Sequence, residues 1–503
     1  MRPRTSGILL ILFALAAAAL RWLHLSVPFF KIPFLAGVTA GYVLVALFFV
    51  GGVWLALKGA AEWNISPQTL KKLRRFRAIQ RGYWSFLILL ALLALAGMDT
   101  LLVGKRALFV SYQGKWSLPF IREGIPGKNF GFTYDAETDY RELQKRCREE
   151  GKGDWVLMPL VRYAPSLDTP QIVETLEMHG EKLFLPGGKQ VFNGTAYTVF
   201  KSKPAKKRQE FVFRQGLRQG DMRGWDEAGE QVEKGRYDKG QRVEYKDYSN
   251  GKATTLESPA APEYHTLVYP PSPPSALQGH YLGTNSTGGD VLAMLFGGWQ
   301  QALIAAVLYV FTVFVIGVVV GGALGYFGGV VDLFGMRLIE IWSVLPFLFV
   351  VMIVSSVINP SMVVLVGVIA AFGWMSTTLY LRTATYREKA RDYVSAARLL
   401  GAGTPRIIFH HVLPNVIAIL VTLAPFEVSN IIISLAALDF LGYGVPADHP
   451  SWGRLLQEGV ENFSYPWIIS SVFAAMTLVL VLVTFVGEAV REAFDPKKFT
   501  TYE

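Results

Sequence analysis

The sequence predicts an all-α polytopic membrane protein of about eight transmembrane helices, with a β-rich domain inserted on its extracytoplasmic side. Three observations predict it. Of 503 residues, 51% are hydrophobic and 17% charged, against about a quarter charged in soluble chains, and the mean hydropathy is +0.32. The apolar residues are gathered into stretches of about 20, the length that crosses roughly 30 Å of hydrocarbon at about 1.5 Å per residue. Between two groups of these stretches lies a long polar segment punctuated by glycine.

The stretches run over roughly 7–23, 34–57, 83–103, 299–325, 338–358, 362–382, 412–436 and 467–487. The first follows Arg2 and Arg4 and has the pattern of either a retained helix or a cleavable signal peptide. A second span after the Pro-containing turn Val27–Pro33 favours retention. This gives an N-terminal helical hairpin over 1–57, a basic segment and third span over 58–103, an inserted domain over 104–282, and a helical core over 283–503.

Charge supplies an independent orientation. Lys58, Lys71, Lys72, Arg74, Arg75, Arg77 and Arg81 follow the second span, and such residues stay on the cytoplasmic side. Residues Leu70–Arg81 also suit a helix lying on the membrane surface. Counting spans from there puts 104–282 outside and Tyr386–His411 inside. The latter carries Arg387, Lys389, Arg391, Arg398 and Arg406, so count and charge agree.

The inserted segment is polar, with alternating runs such as Trp155–Leu160 and Glu210–Phe213. Gly216, Gly220, Gly224, Gly229, Gly235 and Gly240 recur among aromatic and charged residues. The pattern reads as short strands joined by glycine turns and resembles the glycine-punctuated hairpin repeats of the MORN and YwqK type; a disordered insertion is the alternative. The proline-rich stretch after Val268 predicts an extended connector back to the membrane.

Several chemistries are excluded. One cysteine, Cys147, allows neither an internal disulfide framework nor a cysteine zinc site. The net charge of +10 lies beside apolar spans, which points to membrane orientation rather than nucleic acid. No G-x-x-x-x-G-K-[ST] loop, H-E-x-x-H pair or G-x-S-x-G turn occurs, so the chain carries no recognisable nucleotide, metalloprotease or hydrolase site of its own. His410 and His411 are adjacent and without further ligands, a poor start for a metal site.

The most informative segment is RDYVSAARLLGAGTPRIIFHHVLPN, Arg391–Asn415. Helix-favouring residues run to Leu400; Gly401 and Gly403 then break the helix, and Thr404 is placed to cap another with Pro405 at its first position. Small residues Ser395, Ala396 and Ala397 permit close approach of another protein, with Arg398 and Arg406 offered to acidic groups. Spacing alone leaves a docking loop and an ordinary basic loop open. The segment resembles the EAA motif of ABC importer permeases: Ser395-Ala396-Ala397, Gly401 and Leu413-Pro414 fall at its spacing, while Ser395 replaces the acidic residue and His411 the isoleucine. The resemblance implies a type I ABC importer permease core whose loop 387–414 couples to a separate ATPase subunit.

Further blocks narrow the family. LGTNSTGGDVLAMLFGG (Leu282–Gly298), GYFGGVVDLFGMRLIEIWSVLPFL and LDFLGYG resemble blocks of oligopeptide and dipeptide importer permeases, with Gly289 where the group usually carries Arg. RGYWS, YQGKWSLPF, WVLMPLVRY and the terminal GEAVREAFDPKKF resemble the second permease subunit of the oligopeptide and microcin C importer. The motifs span about 70–165 and 265–503. The resemblance implies a bacterial inner-membrane transport subunit that performs no covalent chemistry and binds no cofactor, with ATP and magnesium on partner ATPase subunits. A homologous second permease, an extracytoplasmic substrate-binding protein and the lipid bilayer are the other implied partners. Peptides, peptide-like antibiotics and nickel are all handled by related systems. A secondary transporter would show paired discontinuous helices in matching halves, which are not evident; a membrane-anchored external binding or sensor module is the remaining rival.

Ionisable residues inside spans suggest function. Glu427 lies mid-span with Asn430 three residues on and on the same face, beside the helix-kinking Pro425. A wall of the translocation path and a polar helix–helix contact are both open for the pair. Arg337 and Glu340 are read as a mutual ion pair near the inner surface, and Glu488, Arg491 and Glu492 as interfacial charges.

Overall fold

The computed structural model describes residues 3–23, 27, 45–46, 48–53, 67–122, 124–151, 153–165, 168, 172–188, 190–200, 206–248, 263–276, 278–358, 361–446 and 449–494. The chain divides into two compact units, Met1–Asp168 with Pro273–Glu503, and Thr169–Ser272. The 104–282 segment expected as one domain is thus split. Its first part belongs with the helices because Val103, Val161 and Tyr163 bury against Ala293.

The helical unit contains α1 (Pro3–Trp22), α2 (Pro67–Ala78), α3 (Gln80–Gly97), α4 (Tyr140–Glu150), α5 (Val291–Phe327), α6 (Gly329–Ser343), α7 (Phe347–Val357), α8 (Met362–Lys389), α9 (Asp392–Leu399), α10 (Leu413–Phe440), α11 (Trp452–Glu461) and α12 (Pro466–Phe494). Among the described residues, α3, α5, α8, α10 over Ile419–Phe440 and α12 are long and apolar enough to span a membrane. The expected span 338–358 is not one helix: α6 and α7 meet at a 73° bend, the geometry of a broken span or a re-entrant loop. Pro346 stands at the break, its backbone extended at φ −73°, ψ 109°; its missing N–H and ring clash end the preceding helix. The first expected span is α1, whose apolar part is the shorter Ser6–Leu20. The second, 34–57, lies largely outside the described residues.

Small residues set the closest helix pair. Gly317, Gly321 and Gly325 recur every fourth residue on α5, and a Cβ on Gly321 or Gly325 would run into the backbone oxygens of Thr378 or Arg382 on α8. Bare backbone lets two membrane helices pack by dispersion where no hydrophobic force acts between them. Around this seam Tyr309, Val313, Leu365, Ile369, Ile431 and Leu438 form one buried cluster of α5, α8 and α10. Trp299 stacks on Trp452 at 6.1 Å in a second cluster that brings α11 and α12 onto the first half of α5.

The LGTN and LDFLGYG blocks fix how helices begin and end. The Asn285 carboxamide oxygen accepts from Gly289 N–H at 2.6 Å, and the backbone N–H of Ser286 donates to Glu458 at 2.5 Å. Asp290 caps α5 by accepting from Ala293 N–H at 2.7 Å and pairs with the Nδ1 of His280 at 2.8 Å, both side chains fully buried. Asp439 accepts from Val445 N–H at 2.7 Å and from the Ser451 hydroxyl, tying the end of α10 to the start of α11.

Between α3 and α5 the unit carries β1 (Phe109–Tyr112), β2 (Lys115–Ser117) and β3 (Trp155–Leu157) in the order β2-β1-β3. This sheet packs with α4 over Val110, Phe130, Tyr140, Leu143 and Val156. Asp139 caps α4, accepting from Arg141 N–H at 2.9 Å. Cys147 is buried here; desolvation first, then Asp154 and Glu150, push its thiol up.

The second unit is one antiparallel sheet of β4 (Ile172–His179), β5 (Lys182–Phe184), β6 (Gly194–Val199), β7 (Lys207–Arg214), β8 (Leu217–Trp225), β9 (Gln231–Asp238), β10 (Gln241–Asp247) and β11 (Tyr264–Val268), ordered β10-β9-β8-β7-β6-β11-β4-β5. The glycine-turn expectation holds for half of its glycines. Gly216 and Gly240 turn the chain at positive φ after Gln215 and Lys239, which share that geometry, as tight hairpins require; Gly229 turns β8 into β9. Gly220, Gly224 and Gly235 instead lie inside β8 and β9. Phe211, Phe213, Met222 and Tyr264 form its core, where the Arg218 guanidinium lies 4.9 Å from the Phe211 ring centre.

Candidate functional site

The segment after α8 is held by three apolar plugs and one hydroxyl. Val394, Ile407 and Val412 are buried with Tyr326, Leu381, Ala384 and Leu420 of the helix bundle. The Tyr393 hydroxyl donates to Glu388 at 2.6 Å, and Asn415 donates to Tyr393 Oη at 3.0 Å. One side chain therefore joins the end of α8, the short helix α9 and the start of α10. Burial, then the bond to Glu388, push the Tyr393 hydroxyl above its usual range, so it stays a donor at neutral pH.

Helix α9 ends as the glycine pattern predicts. Gly401 has φ +80°, its N–H donates to Arg398 O at 3.0 Å, and Ala402 N–H returns to Ala397 O at 3.0 Å. A left-handed residue just past a helix is the position that favours glycine.

The next turn corrects two details. Gly403, not Thr404, is the cap, so Thr404 is the first helical residue and Pro405 the second; either early position tolerates a missing N–H. The helix then does not stop. Residues Ile407–Val412 form a π-helical turn that runs directly into α10. The physical reason is Pro414, which cannot donate to the carbonyl four residues back and whose ring crowds it. A wider turn accommodates that defect.

Ser395, Ala396, Arg398, Gly401, Arg406 and Pro414 are exposed, and Ala397 and Leu413 half-buried. The expected set is thus exposed or half-buried throughout. Three large apolar residues of the segment that the motif does not include are bare: Leu399 and Leu400 are 89% and 88% exposed, and Phe409 66%. Large apolar side chains this bare at the tip of a loop suit a protein partner. The available signal was Leu399-Leu400 standing directly before the helix-breaking Gly401.

A second group lies in the helix bundle. Glu427 of α10 accepts from the Tyr309 hydroxyl of α5 at 3.1 Å and from Thr377 of α8 at 3.2 Å; both donors are fully buried. Asn430 donates to Tyr309 Oη at 3.4 Å and is itself exposed. The polar contact between three helices is therefore present. Glu488 accepts from Arg81 at 3.3 Å, joining α12 to α3.

Arg337 and Glu340 do form the expected ion pair, at 2.5 Å. Asp332 of α6 pairs with Arg382 of α8, and ten residues on Trp342 donates to Ala371 O at 2.7 Å. Eleven residues of α8 span about 16 Å at roughly 1.5 Å each, so the helices run side by side in opposite directions. Arg337 and Glu340 fall between these rungs, level with about residues 373–377 of α8 and with Thr377, which donates to Glu427. That is the middle of α8, Met362–Lys389.

Comparison with known proteins agrees with this architecture. The family described as "Binding-protein-dependent transport system inner membrane component" matches residues 313–500. The chain is 30% identical over 435 residues to the inner membrane ABC transporter permease protein YejE of Escherichia coli K12, covering 86% of this chain and 99% of that one. It is 29% identical over 449 residues to the peptidoglycan transport system permease protein YejE of Agrobacterium fabrum, covering 89% and 97%. With the oligopeptide transport system permease protein OppC of Mycobacterium bovis it shares 32% over 237 residues, 46% of this chain and 80% of that one. The chain belongs to the permease family of ABC transporters, the multi-pass membrane components of binding-protein-dependent transport systems.

Proposed function

We propose that this chain is the membrane-spanning subunit of an ATP-driven importer for oligopeptides or peptide-like compounds, and that the segment 387–414 couples it to a separate ATPase. The observation that carries the coupling role is the bare Leu399–Leu400 tip. It is held out by the left-handed Gly401 and anchored by Val394, Ile407 and Tyr393. A rigid, apolar-tipped projection transmits force only if something closes around it. ATP and magnesium reside on the partner ATPases; closure of those subunits moves this projection with the helical turn leading into α10, and the cavity changes its access. Ser395, Ala396 and Ala397 allow close approach, Arg398 and Arg406 meet acidic groups, and Leu413-Pro414 sets the wide turn. With an uncharged Ser395 in place of the motif's carboxylate, shape and apolar contact carry more of the docking.

The peptide class is supported by the roles for which the relatives are named, peptidoglycan and oligopeptide transport. In this reading a homologous second permease completes the pathway and an extracytoplasmic binding protein delivers the solute. The core has the type I arrangement and lies in the inner membrane of a bacterium. Eight crossings follow if α6 with α7, α1 and the 34–57 segment each span, and residues 104–282 then stand on the outer side. Glu427 and Asn430 line the path from within the bundle, Tyr309 and Thr377 holding the carboxylate in place.

Co-purification with candidate ATPase subunits and uptake of a peptide panel in a deletion strain test the proposal together. Gly401→Pro removes the N–H donated to Arg398 O and forbids φ +80°; it is expected to abolish uptake. Retained uptake, with no ATPase recovered, would refute it.

A further inference from the structure

Arg337 and Glu340 are charged, level with about residues 373–377 in the apolar stretch of α8, and 68% and 53% exposed at their side chains. The rest of the exposed face of α6 and α7 carries no charge, with Val330, Phe334, Ile341, Val344 and Phe349 each more than 60% exposed. A charged side chain facing lipid at the bilayer centre is strongly disfavoured, and such residues face a bundle interior or a water-filled cavity. A mutual ion pair softens that penalty without removing the need for further hydrogen bonds, because each group keeps donors or acceptors to satisfy. The contrast with the neighbouring pair is instructive. Asp332 and Arg382 are turned toward each other between α6 and α8, with side chains 21% and 32% exposed. Arg337 and Glu340 lie on one helix and reach across no seam.

From this we infer that Arg337 and Glu340 line the water-filled translocation cavity, where Arg337 meets the carboxylate and Glu340 the ammonium of a passing peptide-like solute. The assignment of the solute rests on the peptide reading above; the placement in an aqueous cavity does not. A zwitterionic chain is the ligand that an adjacent guanidinium and carboxylate complement. Arg presents a planar fork suited to a carboxylate, and Glu accepts from an ammonium. The two groups satisfy each other at 2.5 Å when no solute is present and exchange partners as one passes, so neither is left bare in either state.

The chain has a single cysteine, which is buried, so introduced thiols report cleanly. Arg337→Cys and Glu340→Cys, assembled with their partners in proteoliposomes, are treated with a charged, membrane-impermeant thiol reagent. Val319→Cys is the control: Val319 is 65% exposed, belongs to the α5 groove lined by Phe311, Val315 and Val428, and lies close to the same depth, since its neighbour Gly321 abuts Thr378 O. Only a hydrated thiol ionises and reacts, so Arg337→Cys and Glu340→Cys are expected to label at least about 10-fold faster than Val319→Cys. Rates equal to the control at both positions would overturn the cavity placement. Uptake of trialanine is then compared with that of N-acetyl-trialanine in the wild type, Glu340→Gln and Glu340→Asp. Loss of one charge-assisted contact predicts a roughly 10-fold slower trialanine rate in Glu340→Gln, little change for the acetylated peptide, and recovery in Glu340→Asp. Equal slowing of both peptides would overturn the role of Glu340 toward the ammonium. If the wild type takes up no peptide, the solute class falls, and the labelling still decides the cavity.

Discussion

Removing the apolar tip of the projecting segment separates docking from folding. In Leu399→Ala with Leu400→Ala, each substitution deletes three carbons, and transfer of a buried CH₂ is worth about 0.8 kcal/mol. Full burial of both tips in a partner would therefore be weakened by about 5 kcal/mol, and half burial by about 2 kcal/mol. Since 1.4 kcal/mol is tenfold, affinity for the ATPase should fall by roughly 30-fold or more. The permease itself should not notice. The two side chains are 89% and 88% exposed, and surface changes away from packing contacts usually stay within about 0.5 kcal/mol. The assay is paired: thermal unfolding of the purified subunit, and titration of the ATPase subunits onto it in nanodiscs with substrate-stimulated ATP hydrolysis as the functional readout. The expected result is an unchanged melting transition with binding and stimulation lost together. A double variant that binds and stimulates like the wild type would refute the docking surface. One that melts early would mean these leucines are packed within the subunit, against the exposure on which the argument rests.

Other consequences follow from named contacts. Tyr393→Phe removes the hydroxyl between Glu388 and Asn415, a loss of about 1 kcal/mol, so amide exchange over 392–399 should quicken by roughly fivefold. Because the Tyr393 pKa is raised, its neutral form is the one favoured in the fold; this contribution is complete below a pH of about 10 and is lost as pH rises through the elevated value. Cys147, buried with its thiol pushed up by desolvation, should resist iodoacetamide at pH 7.5 and react fully once the protein is denatured. Gly444→Ala places a methyl group against Asp439, the carboxylate that holds Val445 N–H and Ser451. Overpacking there should cost about 1–3 kcal/mol, read as a lower melting temperature.

The helices were legible because hydrophobic length is a local property and a bilayer makes it decisive. Where the expectation failed, a single residue intervened. Pro346 divides one apolar stretch into two helices at 73°, a break that a hydropathy window averages away. The sheet of the second unit was legible as alternation and turns, but three of six glycines sit within strands. There Gly224 and Gly235 serve close packing, as at Gly235, where a Cβ would crowd the backbone oxygen of Glu244, and Gly220 supplies φ +96°; nothing in the glycine spacing separates those roles from a turn. The split of the 104–282 segment was hidden for a different reason: it depends on Tyr163 and Val161 burying against a helix more than a hundred residues later.

The site shows the same division more sharply. Gly401 and the surface around Ser395–Ala397 could be placed from sequence, because a left-handed break and small residues act through the chain's own geometry. The leucines that crown the loop could not be assigned, since Leu399 is as apolar as the buried Val394 beside it and only the fold shows which of them points inward. Arg337 and Glu340 make the stronger case. Their ion pair follows from spacing on one helix, so pairing was legible; their depth is set by two rungs that α6 makes with α8, Asp332 to Arg382 and Trp342 to Ala371. Placing the pair level with the apolar stretch of α8 changes its meaning. At a surface an exposed ion pair contributes about 0–1 kcal/mol and needs no explanation. Within hydrocarbon each charge costs about 2.5–3.5 kcal/mol against lipid, which is why the exposed pair is assigned to water in the translocation cavity.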